Sequence, residues 1–119
     1  MGAMAVTRIV TNIAAPSTEN AKAFYGDILG MDIAMDLGWI ITFKTDAATT
    51  PQVSIATEGG SGTAVPDLSI EVDNLDAVFD RMVQAGIAIV YGPQSEPWGV
   101  RRFHVRDPFG RLLNILSHS

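Results

Sequence analysis

Few side chains in this chain can do chemistry at neutral pH, and most of them fall in one stretch, "EPWGVRRFHVRDPFGRLLNIL", Glu96 to Leu116. It holds Trp98, His104 and four arginines, Arg101, Arg102, Arg106 and Arg111. An imidazole there can act as acid or base near neutrality, or hydrogen-bond a ligand. A guanidinium can grip a carboxylate or phosphate in bidentate fashion, or stack on an aromatic ring. Trp98 lies between Pro97 and Gly99, where an indole serves to cover something. With Trp39, Phe43, Tyr91, Phe103 and Phe109 it supplies enough aromatic surface to line an apolar cleft for a planar ligand.

Other chemistries are closed off. There are no cysteines, so disulfides, thiolate ligands and a cysteine nucleophile are excluded. No G-x-S-x-G elbow accompanies His104, and "GGSG", without a following lysine, is not a phosphate loop. Glu58 and Glu71 are the remaining candidates for an acid–base pair, against an ordinary role as solvated strand ends. A net charge of −5 with eight Lys plus Arg argues against a nucleic-acid partner, which requires a basic face. Apolar runs such as "GWIITF" fall short of the roughly 20 residues that cross a bilayer. No membrane partner is therefore expected, and the chain reads as cytoplasmic.

These residues must be positioned by a fold. The chain is 119 residues long with 47% hydrophobic content, enough to bury roughly two-thirds of its unfolded surface without staples. "MGAMA", residues 1–5, reads as an expression scar and natural start. "TRIVTNIA" is a β-branched strand, and "STENAKAFYGDILG" a helix capped by Ser17 or Thr18, with Ala21, Phe24, Tyr25 and Ile28 on one face and Gly30 ending it. Two strands follow, turning near Asp36-Leu37-Gly38, and "TPQVSIATEGG" is a fourth. Residues 59–65 have linker composition. The pattern then restarts: strand "PDLSIEV", a helix capped by Asp73 and closed by Gly86, and strands "IAIVYGP", "VRRFHVRD" and "RLLNILSH", with His118 in a frayed tail. The chain is thus a duplicated unit, one βαβββ module at 6–58 and another at 66–117. The expected class is α+β, with two cupped mixed sheets, each covered by one helix and leaving a concave face for a ligand or another module.

The repeat, with "AFYGDILGMDI" in the first half and "WGVRRFHVRDPFGRLLNIL" in the second, resembles the vicinal oxygen chelate superfamily of glyoxalase I, bleomycin resistance proteins, fosfomycin resistance enzymes and extradiol dioxygenases. The resemblance implies paired βαβββ modules forming cup-shaped sites, commonly in a homodimer. It also implies a metal held by His or Gln, His and Glu. The matching positions here fall at Val10, with Asn12 the nearest polar residue, and at Ser54, Asp67 and Asn114. This set suits a divalent transition metal poorly, so no metal and no cofactor is expected.

The resulting expectation is a metal-independent protein that sequesters an aromatic or cationic small molecule in a dimeric cup lined from Trp39, Phe43, Tyr91, Trp98, Arg101, Arg102, Phe103 and His104. The alternative is a glyoxalase-like lyase or dioxygenase with an atypical metal site. Strand alternation places Arg102 and His104 on one face and Arg101 and Phe103 on the other, and which face meets the ligand stays open. Arg101 otherwise pairs with Glu96 or Asp107, while Arg106 and Asp107 stabilise the "RDPFG" turn. Met31, Met35 and Met82 are expected to fill gaps in the core.

Overall fold

A computed structural model of the chain describes residues 5–47 and 51–118; the reading of "MGAMA" as a scar falls, but for Ala5, outside them. The elements in chain order are β1 (Val6–Ala14), α1 (one α-helical turn, Glu19–Ala21, widening into a π-helix, Lys22–Ile28), β2 (Asp32–Asp36), β3 (Ile40–Lys44), β4 (Gln52–Ala56), β5 (Leu68–Val72), α2 (Leu75–Gln84), β6 (Tyr91–Ser95), β7 (Val100–Arg106) and β8 (Leu112–His118). Each half is βαβββ, the α+β class expected from the sequence. Contacts between residues divide the chain into an N-terminal unit, Val10–Val65, and a C-terminal unit that joins Pro66 onward to the chain's first segment through Ile9.

In the N-terminal unit the strand order is β2-β3-β4-β1, antiparallel except for the parallel β4–β1 pair. Ala21, Ile41, Phe43 and Ile55 form its core, with Tyr25 and Met31 packed against them. Tyr25 stacks on Phe43 at 5.5 Å between ring centroids. The helix departs from its expected face: Phe24 and Ile28 are exposed because the wider π turn rotates less per residue and carries them past the core. Its N-terminus is tied by Ser17 Oγ accepting from the Glu19 N–H at 3.1 Å, while Thr18 makes no side-chain cap. At the β2–β3 turn Asp36 accepts from the Gly38 N–H at 3.0 Å. That bond, with the nearby Lys22 ammonium, holds the Asp36 carboxyl below its usual range. Met35 is exposed on β2 rather than filling the core, as is the rest of that strand.

The segment expected to be a linker is a tied loop. Gly59 N–H donates to Thr63 O at 2.7 Å, Thr63 N–H donates back to Gly60 O, and Glu58 accepts from the Gly62 N–H. Gly59 is required sterically: a Cβ there would run into the Ala64 carbonyl.

In the C-terminal unit the strand order is β5-β8-β7-β6, with β5 and β8 parallel. Helix α2 covers one face, where Val72, Leu75, Phe103, Val105 and Ile115 are buried with Val78, Phe79 and Met82 against them. The cap is Asn74, whose Oδ1 accepts from the Ala77 N–H at 3.1 Å, and not Asp73. Asn74→Ala is expected to cost about 1 kcal/mol, measurable as a lowered urea midpoint. Strand β6 starts at Tyr91, later than the apolar run "IAIV" suggests. Of that run, Val90 alone donates to β7, to His104 O. Gly92, at φ 78°, lies so close to β7 that a Cβ would sit 2.5 Å from Arg102 O, and Pro93 has no N–H to pair. No helix among the described residues is long and apolar enough to cross a membrane.

Candidate functional site

The face of β7 that meets α2 carries Phe103 and Val105; Phe103 packs edge-on against Phe79 at 5.3 Å. Arg101 shares this side and pairs with Asp76 of α2 at 3.5 Å, rather than with Glu96 or Asp107. Phe103 and Phe43 are therefore core residues, each fully buried under its own unit's helix, and line no ligand face. Trp39 and Phe43 belong to the N-terminal unit; Trp39 is half-buried in the bend just before β3, where its carbonyl accepts from the Thr57 N–H.

Tyr91, Trp98, Arg102 and His104 come together on the opposite face. The turn from β6 to β7 is tight, with Glu96 N–H donating to Val100 O at 2.7 Å and Gly99 N–H returning to Glu96 O. It sets the Trp98 ring 5.0 Å from the Arg102 guanidinium, whose other neighbour is Tyr91 at 5.2 Å. What Trp98 covers is thus an arginine of its own chain. The Glu96 carboxylate joins the group: its Oε2 accepts from Arg102 Nε and from the Tyr91 hydroxyl, each at 2.7 Å. Both ion-pair side chains are 3% exposed.

His104 follows on the same face, 5.1 Å from the Tyr91 ring. Burial, reinforced by the positive charge of Arg102, pushes its pKa down to about 4 against the opposing influence of Glu96 and Asn114. The ring is neutral at pH 7. Across the β7–β8 ladder its partner is Asn114, and across β8–β5 the partner of Asn114 is Ser69. Asn114 Nδ2 donates to Ser69 Oγ at 3.1 Å. Asn114 lies near enough to His104 to favour its protonated form, yet no well-formed hydrogen bond joins them. His104 Nε2 and Asn114 Oδ1 are the buried side-chain polar atoms without a partner among the described residues. A buried polar atom left unsatisfied costs about 1–3 kcal/mol.

The register corrects two positions counted from sequence. Asn12, not Val10, lies beside Ser54, and Ser69, not Asp67, lies beside Asn114. Val10 is a buried hydrocarbon. Asp67 accepts from the Leu112 N–H at 2.9 Å and so fixes the start of β8. The donor set offered to a metal is one neutral imidazole with amides and hydroxyls, no carboxylate among them. It does not fit a divalent transition metal, and no group of three His, Asp or Glu side chains comes together among the described residues.

The other candidates are occupied locally. Glu71 pairs with Arg8 at 2.9 Å and with His118 at 2.8 Å; His118 is the last residue of β8 and not a loose tail. Glu58 serves the glycine loop. Arg106 donates to Gly110 O, and Asp107 accepts from the Phe109 and Arg111 N–H groups, closing the "RDPFG" turn as its sequence suggests. Sequence reasoning missed Ser69 and took Glu96 only as a partner for Arg101. Alternation along "VRRFH" was the available signal for Glu96, since it places Arg102 and not Arg101 on the face away from the helix.

The fold is shared with solved structures. An NAD-dependent benzaldehyde dehydrogenase from Legionella pneumophila is similar at TM-score 0.76 and 16% identity, covering 94% of this chain and 100% of that one. A glyoxalase/bleomycin resistance protein/dioxygenase superfamily member from Vibrio splendidus 12B01 gives 0.64 and 18% over 92% and 97%. Methylmalonyl-CoA epimerase from Mycobacterium tuberculosis gives 0.64 and 17% over 96% and 87%. A stretch of 71 residues, 60% of the chain, is 35% identical to Myosin-2 of Arabidopsis thaliana, of which it spans 6%. The sequence profile of the Glyoxalase/Bleomycin resistance protein/Dioxygenase superfamily matches residues 7–115. Nearly the whole duplicated fold is thereby accounted for, and the chain belongs to that superfamily.

Proposed function

We propose that this chain is a metal-independent member of its superfamily that binds a small aromatic molecule bearing an N–H donor, neutral or cationic, against His104 and Asn114. The observation that carries the reading is the adjacent pair of buried, unpartnered atoms, His104 Nε2 and Asn114 Oδ1. Asn114 donates one amide N–H to Ser69, and its Oδ1, a carbonyl oxygen, can only accept. The ligand must donate there. Ser69, half-buried, is less covered than His104 and Asn114, and Tyr91 offers an aromatic face beside His104. The acidic charge of the chain favours a cation over an anion.

A pKa near 4 also separates binding from catalysis. An imidazole whose conjugate acid is that strong is a weak base, poorly matched to removing a proton at neutral pH. His104 fits a hydrogen-bonding role better than that of the base in a lyase. The same reading has two chains joined in a dimer in the cytoplasm, and light scattering at twice the chain mass is the expected result.

Three compounds of one shape test the ligand chemistry: benzamidine, benzamide and benzoate. The reading predicts saturable change in Trp fluorescence with the first two, reported by Trp98, and none with benzoate. Equal responses to all three, or none to any, would contradict it.

A further inference from the structure

Phe109 stands at the tip of the β7–β8 turn with 85% of its surface exposed. Asp107 fixes that turn by accepting from the Phe109 and Arg111 N–H groups at 2.8 and 2.9 Å, and Arg106 Nη1 donates to Gly110 O at 3.0 Å. Nothing in this bracing uses the aromatic ring. Its effect is to hold the ring outward on a fixed backbone, so that little freedom is lost when the ring meets a partner. Arg106 and Arg111 are exposed beside it, a basic rim on a chain whose net charge is −5.

A surface of opposite character lies on the N-terminal unit. The π turn of α1 carries Phe24 and Ile28 outward and Leu29 follows them; with Ile33 on β2, each is at least half exposed. Ile33 is opposite Phe43 across β2–β3, so it shares the side on which Tyr25 stacks on that ring. Asp27 and Asp32, both exposed, immediately precede Ile28 and Ile33. Asp32 is opposite Lys44 without pairing with it, and the side chains of Asp27, Asp32 and Arg111 make no ion pair among the described residues.

We infer that the β7–β8 tip of one copy docks on the α1–β2 face of a second copy, Phe109 entering among the exposed apolar side chains while the arginines meet Asp27 and Asp32. This rests on the dimer reading above and names the surfaces that make the dimer. A second copy is the occupant because each surface finds its complement on the same chain, aromatic knob to apolar face and basic rim to acidic rim. The contact joins unlike surfaces, so a two-fold axis between two copies makes it twice.

Sedimentation equilibrium of the intact chain tests this, with circular dichroism as the check that each variant folds. The wild type is expected at twice the chain mass. Phe109→Ser and Arg111→Glu, both at exposed side chains, should each raise the dimer Kd about tenfold or more, the effect of removing an interface anchor. Adding Asp27→Lys and Asp32→Lys to Arg111→Glu should recover much of the loss, because the charges are then exchanged rather than removed. Unaltered dimerisation in Phe109→Ser, or no recovery in the charge-exchanged chain, would overturn this inference and leave the dimer reading in place. Phe109-dependent binding to vesicles of anionic phospholipid, with dimerisation unaltered, would give the tip to a lipid surface and overturn it likewise. A monomeric wild type would overturn both.

Discussion

Glu96→Ala should destabilise the chain by about 3–5 kcal/mol, the cost of stranding one half of a buried ion pair. The side chains of Glu96 and Arg102 are 3% exposed, so water cannot replace the lost carboxylate. The Tyr91 hydroxyl loses its acceptor in the same step, and the aromatic slot around Arg102 loses the anchor of one wall. A small domain has about 5–15 kcal/mol of stability, so the variant should show a sharply lower urea midpoint; Glu96→Gln, which retains the shape, is the comparison. Glu96→Gln should lose less, because an amide oxygen still accepts from Tyr91 and Arg102. Replacing both partners, Glu96→Leu with Arg102→Met, should recover much of the loss. A change below about 1 kcal/mol for Glu96→Ala would mean that the pair behaves as a solvated surface bridge, and would remove the rigid wall from beside His104.

The second large effect is pH dependence. The His104 pKa is lowered from 6.5 to about 4 in the folded chain, so the unfolded state takes up a proton more readily than the native one. Stability from this group is therefore complete above pH 6.5 and falls as pH drops through the window between 6.5 and 4. The linkage is worth about 2 kcal/mol by pH 5 and about 3 kcal/mol once both states are protonated. His104→Gln should flatten the curve of unfolding free energy against pH over that interval, whatever it does to stability at pH 7. Glu71 and His118 pair elsewhere on the sheet, so His118→Gln serves as the control and should leave the His104 slope in place. An unchanged slope in His104→Gln would show that the ring titrates normally in the folded chain.

The elements were legible because they are local. Alternation along β7 separated His104 from Phe103, the Asp-Pro-Phe-Gly turn declared itself, and the restart of strand and helix signals after Gly59 exposed the duplication. Glycine composition alone could not distinguish a linker from a loop that needs glycine for close backbone approach, as at Gly59. The π-helix was invisible for a related reason: "NAKAFYGDI" satisfies a helical period, and only packing shows that Phe24 and Ile28 turn outward. The site was legible in part. Tyr91, Trp98, Arg102 and His104 are readable from the sequence, but the row that sets Asn114 between His104 and Ser69 depends on pairing across three strands. That register is fixed by bulges and turns, and a shift of two residues, the error made at Val10 and Asp67, leaves the sequence pattern unchanged.

The central claim is that His104 is a neutral, buried imidazole with a nitrogen open to a ligand. Long-range proton–nitrogen NMR of the two histidine rings at pH 7, with and without benzamide, tests it most directly. The account predicts neutral nitrogen shifts for His104 before addition, a saturable move of its Nε2 resonance on addition, and no change at His118. A protonated His104 at pH 7, or Trp quenching with the His104 nitrogens unmoved, would contradict it.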